Sequence, residues 1–127
     1  MPRTSEQELK LQDLGPVASR DAQLADFAVS VTTFKEDADM APILAPLPTH
    51  SCQCPHWGVL RAGRATVRYD DGREETIEPG DLYYMTPGHV PVFQAGTELI
   101  MFSPAEEMKA TDEAIRAFLA GQDAQQI

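Results

Sequence analysis

The segment HSCQCPHWGVLRAG, residues 50–63, carries the most informative pattern in the sequence. Two of the three histidines and both cysteines of the chain lie in its first seven residues. If these residues form an extended strand, alternate side chains share a face, which places His50, Cys52, Cys54 and His56 together. Imidazole and thiolate are the ligands that zinc, iron, nickel and copper use in proteins. The segment therefore predicts a metal site.

A second strand must complete any such site. Side chains at positions i and i+2 of a strand lie about 7 Å apart, too far for one ion to bind several of them. His89 is the only other histidine in the sequence. The alternative is a cluster without metal, because free cysteine packs as a small apolar residue and a buried histidine is often only hydrogen-bonded. Both interpretations stay open at this point.

The composition predicts one soluble domain. The chain has 127 residues, enough to bury a core without disulfides. Twenty acidic and ten basic residues give a formal net charge of −10. The sequence has no basic stripe, so neither nucleic acid nor an anionic membrane is expected as a partner. No apolar run approaches the length of a membrane span, and the N-terminus lacks the apolar core of a signal peptide. We therefore expect a cytoplasmic protein with reduced cysteines.

Short strands separated by turn signals dominate the chain. Residues 1–24 are predicted as an N-terminal arm and residues 25–34 as a strand. Residues 40–47 are interrupted by Pro42 and Pro46, which allows at best an edge strand. From residue 56 onward, apolar and polar residues alternate in segments bounded by Asp-Gly, Pro-Gly and Ala-Gly turns. This pattern predicts an all-β fold, either a sandwich or a barrel.

The C-terminal segment changes to a helical period. Ser103-Pro104-Ala105-Glu106 is a capping box with proline at the first helical position. An apolar stripe begins at Met108, and Gly121 is placed to end the helix. The sequence therefore predicts one domain, with a barrel over residues 25–103 and a helix over residues 104–121 that packs on the barrel.

The spacing of the candidate ligands resembles that of the first motif of the cupin conserved barrel. This motif consists of a histidine, a second histidine two residues later, a glutamate and a glycine. The same positions hold His50, Cys52, His56 and Gly63. The first histidine and the glycine match, whereas cysteine stands in place of the second histidine and histidine in place of the glutamate.

The second cupin motif has a counterpart as well. It begins with a Gly-Asp turn and continues with Pro-x-Gly and a histidine, and Gly80-Asp81 and Pro87-Gly88-His89 resemble this pattern. Pro91 occupies the usual place of the histidine, and the histidine lies two residues earlier. The chain therefore resembles a small single-domain bacterial cupin. The resemblance implies a single double-stranded β-helix, a jelly-roll barrel, with a C-terminal helix.

In a cupin the strands that carry the two motifs face each other across the barrel. The resemblance therefore implies a divalent transition metal between His56 and His89, with zinc preferred over nickel or iron. Cys52 or Cys54 would add a thiolate. Because Cys52 occupies the place of a motif histidine, we expect it to be the ligand and Cys54 to pack in the core. His50, at the mouth of the barrel, is the weakest candidate.

The predicted function is binding of a small molecule at the barrel centre beside the metal, with no defined reaction. Tyr83 and Met85 share a strand face just before the second motif, and we expect them near the ligand pocket. A metal-free binding or sensing module is the alternative. The resemblance also implies a homodimer, in which a second subunit covers the apolar edge at residues 40–47.

Overall fold

Ten strands and two helices make up the part of the chain that the structure describes. The structure is a computed structural model that describes the backbone of residues 3–125 and the side chains of residues 3–117. The strands are β1 Leu11–Asp13, β2 Val17–Leu24, β3 Phe27–Phe34, β4 Ala38–Asp39, β5 His56–Ala62, β6 Ala65–Tyr69, β7 Glu74–Ile77, β8 Leu82–Met85, β9 His89–Phe93 and β10 Thr97–Pro104. The helices are α1 Ala41–Leu44 and α2 Ala105–Gln125.

The strands pair in two antiparallel sheets. One sheet has six strands in the order β1-β2-β3-β10-β5-β8, and the other has four in the order β4-β9-β6-β7. The core lies between the sheets, where Phe34 of β3 stacks on Phe93 of β9 with ring centroids 4.1 Å apart. Leu60, Val67 and Leu99 are buried in the same core. The predicted all-β fold with a C-terminal helix is confirmed.

The alternation in the sequence decides which side chains of β6 face the core. Ala65, Val67 and Tyr69 are buried, whereas the two residues between them are not. The turn at Asp71-Gly72 leads into β7, and its glycine has a φ of 89°, a conformation that glycine adopts without strain. Each such strand therefore places one row of side chains between the sheets.

The six-stranded sheet begins earlier in the chain than residue 25. β2 pairs with β3 along its whole length, from Val17 opposite Phe34 to Leu24 opposite Phe27. The sequence of β2, VASRDAQL, contains few β-branched or aromatic residues, so its own pattern does not predict a strand. Pairing with the more regular β3 overrides this weak propensity. The predicted arm of residues 1–24 thus contributes two strands to the sheet.

Residues 40–47 form a helical turn, and their prediction as an edge strand is wrong. In α1, Pro42 lies in the first turn, where the helix does not need its backbone N–H. Leu44 and Leu47 are buried in the chain's own core. This segment therefore offers no apolar edge to a second subunit. Homodimerisation itself stays a prediction.

Helix α2 extends beyond its predicted end. It continues through Gly121 to Gln125, because one glycine costs a helix only about 1 kcal/mol and does not by itself stop it. Met108 and Ile115 pack against the core cluster that contains Leu44. The helix thereby covers the part of the barrel that holds the candidate site. None of the helices in residues 3–125 combines the length and the apolar character needed to cross a membrane.

Candidate functional site

The segment that holds the predicted ligands contains a strained turn. Residues 48–50 form a single 3-10 turn, in which Thr49 and His50 have φ values of 55° and 58°. A positive φ is costly for residues other than glycine, and most of all for a β-branched threonine. β5 begins only at His56, directly after Pro55, which has no backbone N–H to donate. The predicted common face of His50 to His56 in one extended strand is therefore wrong.

Hydrogen bonds to Asp70, which is distant in sequence, hold this turn in place. Oδ2 of Asp70 accepts hydrogen bonds from Oγ1 of Thr49 at 2.7 Å and from Oγ of Ser51 at 3.1 Å. Cys52 then forms an isolated β-bridge with His89, and its N–H donates to the carbonyl of His89 at 2.9 Å. The turn and the bridge together bring the thiol of Cys52 to the start of β9.

Cys52, His56 and His89 form a compact buried cluster. The ligand atoms that they offer lie within 4.8 Å of one another. Sγ of Cys52 is 3.5 Å from Nε2 of His56, and the two imidazole rings have centroids 4.9 Å apart. The three residues are only 5%, 5% and 1% exposed. The structure therefore brings together three of the five residues that the sequence predicts as metal ligands.

The outer nitrogen of each imidazole is held by a hydrogen bond. Nδ1 of His89 lies 2.7 Å from the carbonyl oxygen of Thr86, and Nδ1 of His56 lies 2.6 Å from Oγ of Ser103. Because a carbonyl only accepts hydrogen bonds, Nδ1 of His89 carries the proton and Nε2 keeps its lone pair. Ser103, which the sequence predicts as a helix cap, orients His56. Proteins commonly orient histidine ligands of metals through such outer hydrogen bonds.

Burial keeps the metal-free cluster uncharged. Desolvation lowers the pKa of His56 to about 3, with a further contribution from His89. Desolvation also lowers the pKa of His89 and raises the pKa of the Cys52 thiol. Near neutral pH the cluster therefore contains two neutral imidazoles, whose lone pairs are available to a metal, and one thiol that a metal must deprotonate.

The metal-free protein is expected to lose stability as the pH falls below 6.5. The unfolded chain protonates His56 near pH 6.5, whereas the folded chain keeps it neutral down to about 3. The free energy of unfolding therefore falls by up to about 1.4 kcal/mol per pH unit, or roughly 2 kcal/mol between pH 7 and pH 5, from this residue. The lowered pKa of His89 adds to this loss of stability. Urea unfolding in the presence of a chelator measures the loss.

The variant His56→Gln is expected to lose about 2 kcal/mol less than the wild type over the same pH interval, because glutamine does not titrate. His50→Gln is the matched control. His50 is exposed, and its Nδ1 lies 2.7 Å from the carbonyl oxygen of Ala45, outside the cluster. Equal losses in the wild type and in His56→Gln would contradict this account of the acid sensitivity.

Cys54 is buried next to the cluster without belonging to it. It packs in the small core cluster that contains Leu44 and Leu47, with Sγ 3.6 Å from the carbonyl oxygen of Pro55. Burial, together with the nearby Cys52 and two carboxylates, raises the pKa of its thiol to about 12. Cys54 is therefore an uncharged packing residue near neutral pH in the metal-free protein.

Tyr83 and Met85 lie in the main core and do not line the cavity that adjoins the cluster. The hydroxyl of Tyr83 donates to the carbonyl of Ile100 at 2.9 Å. Met85 lies directly opposite His56 in the register of β5 and β8, so both side chains face the space between the sheets, where Met85 packs in the core. Neither residue contributes to the wall of that cavity. Their predicted role near the ligand stays a prediction.

A cavity of about 230 Å³ adjoins the cluster. Its wall includes Cys52, His56 and His89, and most of the other side chains that line it are apolar. Leu44 of α1 and Met108 of α2 belong to this wall, so both helices contribute to the site. Sequence reasoning missed these contributions. The sequence feature that could have indicated the contribution of α2 is the apolar stripe that begins at Met108.

No protein-family model and no curated protein matches the sequence. Several solved structures are similar in fold. An RmlC-like cupin from Shewanella frigidimarina matches 80% of this chain and 89% of its own, at 16% identity and a TM-score of 0.56. KdgF from Halomonas sp. matches 79% and 90%, at 18% identity and a TM-score of 0.55. The polyketide cyclase RemF from Streptomyces resistomycificus matches 83% and 80%, at 14% identity and a TM-score of 0.57.

Likeness at this level of identity shows the fold. The chain is a small protein with the cupin fold, as its two sequence motifs predict. The six-stranded sheet carries β5 with His56, and the four-stranded sheet carries β9 with His89, so the two motifs face each other across the interior.

Proposed function

We propose that this cupin binds one divalent transition metal ion through Cys52, His56 and His89, and a small molecule in the cavity beside the ion. Zinc is the preferred ion, and nickel and iron are the other candidates. The observation that carries the proposal is the convergence of three ligand atoms within 4.8 Å in a buried site. Binding, without a defined reaction, is the proposed activity.

The donor atoms fit zinc in chemistry, and the pair Cys52 and His56 also fits it in spacing, within a set whose ligand atoms lie up to 4.8 Å apart. Zinc–sulfur bonds of about 2.3 Å and zinc–nitrogen bonds of about 2.05 Å, at tetrahedral angles, separate a sulfur and a nitrogen ligand by about 3.6 Å. The separation between Sγ of Cys52 and Nε2 of His56 is 3.5 Å. A thiolate with two imidazoles also favours zinc over calcium and magnesium, which prefer oxygen ligands. These points support a transition metal in the cluster.

Three protein ligands leave a coordination position for a water or a small molecule, as in catalytic zinc sites. When bound, zinc supplies Lewis acidity and lowers the pKa of a coordinated water. The chain's own residues have two roles in the proposal. Ser103 and Thr86 orient the two imidazoles, and the apolar wall of the cavity keeps bulk water away from the cluster.

A metal-free binding or sensing module is the second candidate function, and one observation favours it. The 3.5 Å contact between Cys52 and His56 also fits a thiol–imidazole hydrogen bond. Within the described residues, no buried side-chain nitrogen or oxygen lacks a hydrogen-bond partner. The Cys52 thiol and Nε2 of His56 thus have a partner without an ion, and in this case the cavity alone binds the ligand.

Zinc titration of chelator-treated protein decides between the two candidates. We expect one zinc per chain and the release of about one proton near neutral pH, because the imidazoles are already neutral and only Cys52 has a proton to lose. Metal analysis measures the stoichiometry, and calorimetry in buffers of different ionisation enthalpy measures the proton release. A folded protein that takes up no zinc, nickel or iron would leave only the metal-free candidate.

We also propose that the protein forms a homodimer through the outer face of β5 and β8. β8 is an edge strand of the six-stranded sheet. The backbone N–H and C=O groups on its free edge are therefore available to a second copy of the chain. Leu82 and Tyr84 of this strand are 85% and 54% exposed, and the ring of Tyr84 lies 6.1 Å from that of Trp57. Light scattering is expected to give a dimer mass for the wild type and a monomer mass for Leu82→Asp. A monomeric wild type would contradict the proposal.

A reducing compartment such as the cytoplasm suits the proposed site. Both cysteines are free thiols in buried positions. Oxidation of Cys52 would remove the thiolate that a metal needs. We therefore place the protein, as part of the proposal, in the cytoplasm, where thiols stay reduced.

A further inference from the structure

Building on the ligand-binding role proposed for the cavity, we propose that its ligand is a small apolar molecule with one amine, whose ammonium group pairs with Asp112. The cavity measures about 230 Å³. This is less than the roughly 300–1,000 Å³ typical of pockets for drug-sized ligands. The cavity therefore favours a ligand smaller than a drug-sized molecule.

The wall of the cavity excludes a sugar or another ligand with many hydroxyls. Leu99, Met101 and Ile115 are among the apolar side chains that form most of the wall. Ser30, Thr32 and Thr111 also line it, and the hydroxyls of Ser30 and Thr32 lie 2.6 Å apart and hydrogen-bond to each other. Several ligand hydroxyls would be left unpaired against this wall, which is unfavourable. The body of the ligand is therefore apolar.

Asp112 is the one charged side chain in the described wall of the cavity, and no described lysine or arginine contributes to it. It is half-buried on α2, and no donor in residues 3–117 hydrogen-bonds to its carboxylate. Burial raises the pKa of this carboxyl, with Arg116 acting in the opposite direction and Asp21 in the same one. A partly desolvated carboxylate is stabilised by a cation that also donates hydrogen bonds, as an ammonium group does.

The same charge distribution disfavours an anionic ligand. A carboxylate or phosphate in the cavity would meet Asp112 with no basic side chain among the described residues of the wall. The formal net charge of −10 adds a long-range repulsion. A bound zinc ion would attract an anion, so the selection by Asp112 is measured in the metal-free protein.

Benzylamine, benzyl alcohol and benzoate are suitable probes, because they share an aromatic ring, have similar size and differ in charge. In chelator-treated wild-type protein, titration followed by calorimetry or by NMR is expected to show at least about ten-fold tighter binding of benzylamine than of benzoate. Asp112→Asn is expected to weaken benzylamine binding by about ten-fold and to change benzyl alcohol binding by less than about two-fold.

Glu113→Gln is the matched control. It removes the same charge from the next position of α2, where Glu113 is exposed and lines an outer groove instead of the cavity. Binding of benzyl alcohol without a preference for benzylamine overturns the inference and leaves the ligand-binding role intact. An unchanged benzylamine affinity in Asp112→Asn, or the absence of binding by all three probes, overturns it as well. The probes are titrated into metal-free protein, so a failure to bind zinc does not affect this experiment. The zinc titration tests the metal proposal independently.

Discussion

Replacing His56 by alanine is expected to reduce the zinc content of the purified protein from about one ion per chain to less than roughly a tenth of that. His56 supplies one of the three ligand atoms in the cluster. The loss of an outer hydrogen-bond partner of a ligand already costs about 10–100-fold in metal affinity, so the loss of the ligand itself should exceed about 100-fold. Metal analysis after purification without chelator measures the content, and competition titration measures the affinity.

His50→Ala is the control for this experiment. It removes an imidazole from the same segment of the chain, but His50 is exposed and lies outside the cluster. Its zinc content is expected to match that of the wild type. Circular dichroism of both variants shows that the fold is retained. Equal zinc contents in the two variants would contradict the assignment of His56 as a ligand.

Substitutions of the two cysteines are expected to have different effects. Cys52→Ser should lower the affinity for metal, and Cys54→Ser should lower the stability of the fold. Cys52→Ser replaces an ionisable thiol of the cluster by a hydroxyl that stays protonated near neutral pH, so zinc affinity should fall on the order of 100-fold. Cys54→Ser buries a hydroxyl beside Leu44 and Leu47. This change should cost about 1–3 kcal/mol of unfolding free energy and leave zinc affinity within about two-fold.

Competition titration with zinc measures the affinities, and urea unfolding of the chelated variants measures the stabilities. Equal zinc affinities in the two variants would show that neither thiol binds the ion. A loss confined to Cys54→Ser would show that Cys54 is the ligand and that the cluster rearranges when it binds metal.

The strands of the barrel could be predicted because local pattern and tertiary contact agree in them. β6 alternates buried and unburied residues over its whole length. Gly63, which precedes it, has a positive φ, and a Cβ there would lie 2.3 Å from Cα of Thr97. A glycine is therefore required at this position by both its conformation and its neighbour. The meeting of His56 and His89 follows from such strands, because β5 and β9 lie in facing sheets.

The rest of the site depends on contacts that no local pattern shows. Thr49 and His50 have positive φ without being glycines, and the turn is held by Asp70, 19 positions after Ser51. Asp112 lies in an ordinary helical sequence, and only the docking of α2 on the barrel brings it to the cavity. Tertiary packing overrode local propensity at the turn and set the position of Asp112 at the cavity, and both places belong to the candidate site.

The bonds that hold the cluster also determine when in folding a metal can bind. Ser103 orients His56 from 47 positions further along the chain, and the bridge between Cys52 and His89 joins two further distant segments. Contacts between residues so far apart in sequence form after long loops have closed, which occurs late in the folding of β proteins. A metal that binds this cluster therefore binds the folded barrel and does not nucleate it. Zinc should accordingly slow the unfolding reaction and leave the rate of folding unchanged.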